Sequence, residues 1–159
     1  MAEDRQLEGQ QVKSRLQRLV GQWAKGQVTL KEMLGLTDDE LWAIAQQGYY
    51  LFLQGKSESA RVLFEGLVAV NPRNAYYYRA LGAIYWRLEE PQKAIKQFTY
   101  AIRVSPKDVS SYVNRAEIHV SLKQFTEARQ DLAAAMKYAV ADDGALVRKA
   151  RAILRMISA

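Results

Sequence analysis

The chain has no cysteine, which excludes disulfides and thiolate metal sites. That composition suits a reducing compartment. The single histidine is His119, and no group of acidic residues stands at metal-ligand spacing. No glycine-rich phosphate loop and no nucleophile motif appears. Nothing points to catalysis, and no metal or cofactor is expected. No run approaches the roughly eighteen apolar residues of a membrane helix, so no stable membrane insertion is expected. The opening Met1-Ala2-Glu3-Asp4-Arg5 lacks a basic region followed by an apolar core, so no secretory signal is expected. Prolines number three, and Pro72 and Pro106 fall between candidate helices. What remains is 49% hydrophobic and 25% charged over 159 residues. That is too apolar for disorder and enough for one packed domain.

The net charge is +6 and the pI about 9.5, which admits acidic partners. Acids and bases are interspersed until the tail, where Arg148, Lys149, Arg151 and Arg155 follow Gly144 without an acid. A solvated basic helix face accounts for this row better than nucleic-acid binding does.

Residues 1–10 are polar and are expected to fray. From Gln11 to Lys25, Val12, Leu16, Leu19, Val20 and Trp23 recur at helical spacing. This amphipathic helix has no counterpart elsewhere. It must cap the fold, pair with another subunit or fold when a partner arrives. Gly26 interrupts it, and Thr29 to Leu36 predicts one or two helical turns. Thr37 and Glu40 form a capping box, each side chain satisfying a free backbone donor of the next helix. Helices are then predicted over Asp38–Leu53 and Ser57–Val70, with Gly55 at the turn. The last helix is predicted from Gly144 to Ile157, with an apolar stripe that includes Leu146, Ala150 and Ile153. Asp142-Asp143 are placed in a turn before it.

Between these ends the chain repeats itself every thirty-four residues. Gly48, Gly82 and Ala116 correspond, as do Ala60, Ala94 and Ala128, and Phe64, Phe98 and Leu132. The period resembles the tetratricopeptide repeat, a two-helix unit that stacks on its own copies. The fold expected is all-α: a lead-in over 1–36, a superhelix of three repeats (41–74, 75–108 and 109–142) within 37–142, and a capping helix over 143–159. Small residues let the paired helices approach. Phe64 and Phe98 fill the space between units, and His119 takes the packing place of Tyr85. Terminal repeats need a cover, which the last helix supplies.

In this repeat the first helix of each pair lines the concave side. By that resemblance Trp42, Ala45, Tyr49, Phe52 and Leu53 face inward from the first unit. Tyr76, Arg79, Ala83, Trp86 and Arg87 do so from the second, and Ser110, Val113, Glu117, Val120 and Ser121 from the third. Aromatics with no core duty along a groove suit the anchoring of another chain. An extended peptide fits because alternate side chains can enter separate pockets. Arg79 and Arg87 are expected to grip its carbonyls or acids.

Outside the repeats, Thr29-Leu30-Lys31-Glu32-Met33-Leu34 leads into Leu41 and Ala45, followed by Gly55-Lys56, Ala60 and Leu63-Phe64-Glu65-Gly66-Leu67. With Leu81-Gly82-Ala83, Lys93-Ala94-Ile95 and Tyr100-Ala101, this resembles the translocator class of type III secretion chaperones of Gram-negative bacteria. The resemblance spans about Gln11 to Met156. It implies a cytoplasmic chaperone whose partners are secreted hydrophobic translocator proteins. An N-terminal segment of each would lie in the groove, keeping them soluble and apart before export. It also implies groove roles for Tyr49, Phe52, Val70 and Tyr76, and a homodimer through the N-terminal part, where Val12, Leu16, Leu19 and Trp23 lie. The other reading is a general repeat scaffold that binds a peptide of another protein. A basic carboxylate clamp for acidic C-termini is absent or incomplete, since Ala45, Tyr49, Arg79 and Ala83 hold its positions.

Overall fold

The computed structural model describes residues 2–158, with side chains described except at 2–10 and 142. Helix α1 spans Ala2–Ala24 and α2 Leu30–Leu34. Three antiparallel pairs follow: α3 Asp38–Leu53 with α4 Ser57–Val70, α5 Ala75–Arg87 with α6 Pro91–Val104, and α7 Val109–Ser121 with α8 Phe125–Tyr138. A single 3₁₀ turn, Ala141–Asp143, leads into α9, Gly144–Met156. Within each pair the helices pack tightly, and each second helix packs on the first helix of the next pair. Helix α9 covers the end of the stack by packing on both α8 and α7.

Local chemistry sets the boundaries. Thr37 and Glu40 form the expected capping box, and Thr29 with Glu32 forms a second one. Pro91 sits in the first turn of α6, where its missing N–H removes no helical bond. The turn inside each pair uses the same left-handed residue, at Gly55 (φ 79°), Glu89 (φ 60°) and Lys123 (φ 61°). Only the first is a glycine, so Glu89 and Lys123 are held in a strained conformation by the helices on either side. Helix α1 begins at Ala2, which corrects the expectation of a frayed start. Glu, Gln, Arg and Leu dominate that stretch, and all are good helix formers that need no apolar period.

The core confirms the logic of the small residues. A Cβ built on Gly82 would lie 2.9 Å from two ring atoms of Phe98, and one on Gly48 would lie 2.8 Å from Phe64. Each ring therefore fills the inside of its own pair, against glycine. Phe64 also reaches the next pair, edge-on to Tyr76 at 6.2 Å between centroids. In the third pair both members change together, with Ala116 and Leu132 fully buried in one cluster. The smaller leucine leaves room for the methyl group.

Polar groups inside the stack are paired. The Tyr85 hydroxyl donates to Glu65, and burial with that carboxylate pushes the phenol up to about 12. The same bond, ahead of Arg61, holds Glu65 below the usual carboxylate range. In the third pair Arg115 grips the buried Asp131 with Nε (2.8 Å) and Nη2 (2.5 Å), and its Nη1 donates to Thr99 at 2.8 Å. His119 is a packing residue as expected, its Nδ1 2.7 Å from Gln124 Oε1.

Candidate functional site

Helices α3, α5 and α7 form one wall of the stack, and an apolar cleft of about 200 Å³ opens on it. Tyr49 and Phe52 come from α3, Tyr76, Arg79, Ala80, Ala83 and Ile84 from α5, and Ser110 and Asn114 from α7. Phe64 of α4 lies beneath, almost wholly buried. Tyr76 is fixed at the centre, with Trp42 at 5.6 Å, Phe64 and Tyr77 at its edges, and the Arg79 guanidinium 5.6 Å above its ring. Burial pushes its phenol above the ordinary tyrosine value, so the hydroxyl stays neutral. Tyr49 stands 51% exposed, although the core around it is complete. A large aromatic left in water beside a filled core is free to be covered by another molecule.

The two expected cations are spent within the chain. Arg79 Nη1 donates to Asp108 Oδ1 at 2.8 Å. Arg87 Nη1 donates to the Phe52 carbonyl at 2.8 Å, and its guanidinium lies 4.4 Å from the Phe52 ring centroid. Arg87 therefore braces a groove aromatic. The basic excess lies elsewhere, as on α9, where Arg148, Arg151 and Arg155 are exposed.

Six expected groove residues thus meet at one cleft: Tyr49, Phe52, Tyr76, Arg79, Ala83 and Ser110. Trp42 flanks it through its contact with Tyr76, while Trp86 is exposed on α5 without lining it. Others need correction. Ala45 is fully buried in the cluster of Leu41, Ala60 and Phe64, its methyl too short to reach the surface. Val113 is fully buried in one cluster with Ala150 and Ile153, because α9 covers that part of α7. Glu117 is engaged by the same helix, 2.7 Å from Lys149 Nζ. Val70 lines a separate depression with Leu36, Ile44 and Val62. Asn114 escaped the sequence reading, although it lies one helical turn beyond Ser110 and so on the same face.

On α1, Val12, Leu16, Val20 and Trp23 are exposed and Leu19 is half-buried. The helix packs on α2, and the stripe is uncovered.

A family described as "Tetratricopeptide repeat" matches residues 46–98 and 84–145, more than half of the chain. The chain belongs to the tetratricopeptide-repeat family. Solved tetratricopeptide-like structures share its architecture. A type III secretion complex from Aeromonas hydrophila superposes with a TM-score of 0.83 at 19% identity, covering 89% of this chain and 95% of that one. The Yersinia enterocolitica secretion chaperone SycD, bound to a peptide of the translocator YopD, gives 0.74 at 19%, covering 77% and 95%. PcrH, known from Pseudomonas aeruginosa and solved with the chaperone-binding region of PopD, gives 0.74 at 24%, covering 78% and 95%. At these identities the likeness is one of fold. The wall that holds the cleft is thus the inner wall of a tetratricopeptide stack.

Proposed function

We propose that the protein is a cytoplasmic chaperone of type III secretion. It holds an extended N-terminal segment of a hydrophobic translocator against α3, α5 and α7, keeping that protein soluble and apart from its fellows until export. The observation that carries this reading is the set of aromatics, Tyr49, Phe52 and Tyr76, meeting at one cleft on this fold. Two solved relatives of the same fold were crystallised with segments of other proteins, SycD with a peptide of the translocator YopD and PcrH with the chaperone-binding region of PopD. The chemistry is burial without turnover. Each apolar anchor side chain removed from water contributes about 1.5–3 kcal/mol, against which stands the freedom lost on ordering the bound segment. Among the described residues no helix is long and apolar enough to cross a membrane.

The test is co-expression with a genomic neighbour that encodes transmembrane stretches. The neighbour is expected in the soluble fraction, co-purifying with this chain. A neighbour that remains insoluble with and without the chaperone would sink the reading.

The uncovered α1 stripe is assigned to a second copy of the chain. Light scattering is expected to give a dimer mass that falls to the monomer in Leu16→Asp, at unchanged helix content. A wild-type mass of one chain at every concentration would overturn this.

A further inference from the structure

The cleft carries two polar side chains that the fold leaves unused. Ser110 and Asn114 line its α7 wall and are half-buried. Other polar groups around this wall are committed: Arg79 and Ser111 to Asp108, Arg115 to Asp131 and Thr99, and Glu117 to Lys149. The Ser110 hydroxyl and the Asn114 amide have no hydrogen-bond partner among the described residues. No fully buried side-chain nitrogen or oxygen among those residues is left unpaired, so both groups open onto the cleft.

Their places in the repeat are distinctive. Ser110 stands where the earlier units carry Trp42 and Tyr76, and Asn114 where they carry Gln46 and Ala80. At the first of these places the wall thus changes from aromatic to hydroxyl at α7, just where α9 begins to cover the stack, while at the second Asn114 restores the amide of Gln46. Arg79, the α5 cation that lines the cleft, is already paired with Asp108.

We infer that Ser110 and Asn114 hold the main chain of the bound segment, next to the apolar anchor between Tyr49 and Tyr76. The inference rests on the groove reading above and names the chemistry the groove recognises: an extended, uncharged stretch of polypeptide. A carboxamide has one acceptor and two donors, so it pairs with both the N–H and the C=O of a single residue. Residues four apart on a helix place their side chains about 6 Å apart. Like-facing groups of an extended chain recur every two residues, at about 6.6 Å. Ser110 and Asn114 therefore match two successive like-facing main-chain sites. A helical segment has no such groups to offer, because its own ladder uses them. Affinity from this pair is independent of side-chain sequence, while the aromatic cleft fixes the register.

The test uses the full chain and a dodecapeptide selected on it from a displayed random library. The parent peptide and its backbone N-methylated copies are titrated by fluorescence polarisation. Asn114→Ala is expected to bind the parent about 25-fold more weakly, the size of two neutral hydrogen bonds. Its melting temperature should not move, since the side chain bonds to nothing in the free protein. One N-methyl group beside the anchor should cost the wild type about fivefold and the variant nothing further. Parent binding equal to wild type in Asn114→Ala, or identical N-methyl losses in both proteins, overturns the inference. Tyr49→Ala separates the two levels. If it weakens the parent and Asn114→Ala does not, only this inference falls. If the peptide ignores Tyr49→Ala, the groove reading falls with it.

Discussion

Gly82→Leu is expected to lower the melting temperature by roughly 10 °C or to abolish the cooperative transition, a loss of about 3 kcal/mol or more. The first carbon added at Gly82 already lies 2.9 Å from Phe98, and leucine adds three more. The ring has nowhere to go, being almost wholly buried between α5, its own α6 and the neighbouring pairs. Leucine gains about 0.8–1.0 kcal/mol of helix propensity over glycine, which is smaller than the cost of overpacking. The pair affected is the middle one, and a repeat cannot bury its faces without neighbours. A melt unchanged within error would remove the packing role from Gly82.

A paired substitution tests the cause. Gly82→Ala and Phe98→Leu together copy Ala116 and Leu132 of the third pair. Each alone should destabilise by about 1–2 kcal/mol, one by crowding and one by leaving a cavity. Combined, they should cost about 1 kcal/mol less than the sum, because the shorter side chain vacates the space the methyl enters. Strict additivity in chemical denaturation would show that the two sites do not share that space.

The sequence revealed elements wherever chemistry was local. The capping box at Thr37 and Glu40, Gly55 and Asn71-Pro72 bound α3 and α4 at the residues expected. The start of α1 escaped because polar helix formers carry no apolar period. The left-handed Glu89 and Lys123 show nothing in their own side chains, and only their alignment with Gly55 exposes them. In the groove, subtraction grouped Tyr49, Phe52 and Tyr76, which line one cleft, although Phe52 and Tyr76 also pack against the core. It failed for Val113 and Glu117, where α9 occupies the wall as a further repeat would. It failed too for the charge of Arg79, because its partner Asp108 lies 29 residues away. A repeat pattern assigns faces, but it cannot say which polar groups on a face are already paired.

That distinction shapes the second large effect, the loss of translocator binding in Tyr49→Ala. Tyr49 is 51% exposed, so its removal should leave the melting temperature within a few degrees of wild type. Its ring nonetheless forms one side of the cleft where aromatics from α3 and α5 meet around a buried floor. An aromatic at the centre of an interface typically carries about 2 kcal/mol or more, so affinity for the co-purified translocator should fall at least about thirtyfold. Arg79→Met gives the contrast. Its charge is already neutralised by Asp108, so salt between 50 and 500 mM should change wild-type binding little, about threefold at most. A steep salt dependence, abolished in Arg79→Met, would instead make the cation the reader and the aromatics bystanders. Retained affinity in Tyr49→Ala, at unchanged stability, would move the translocator off this wall altogether.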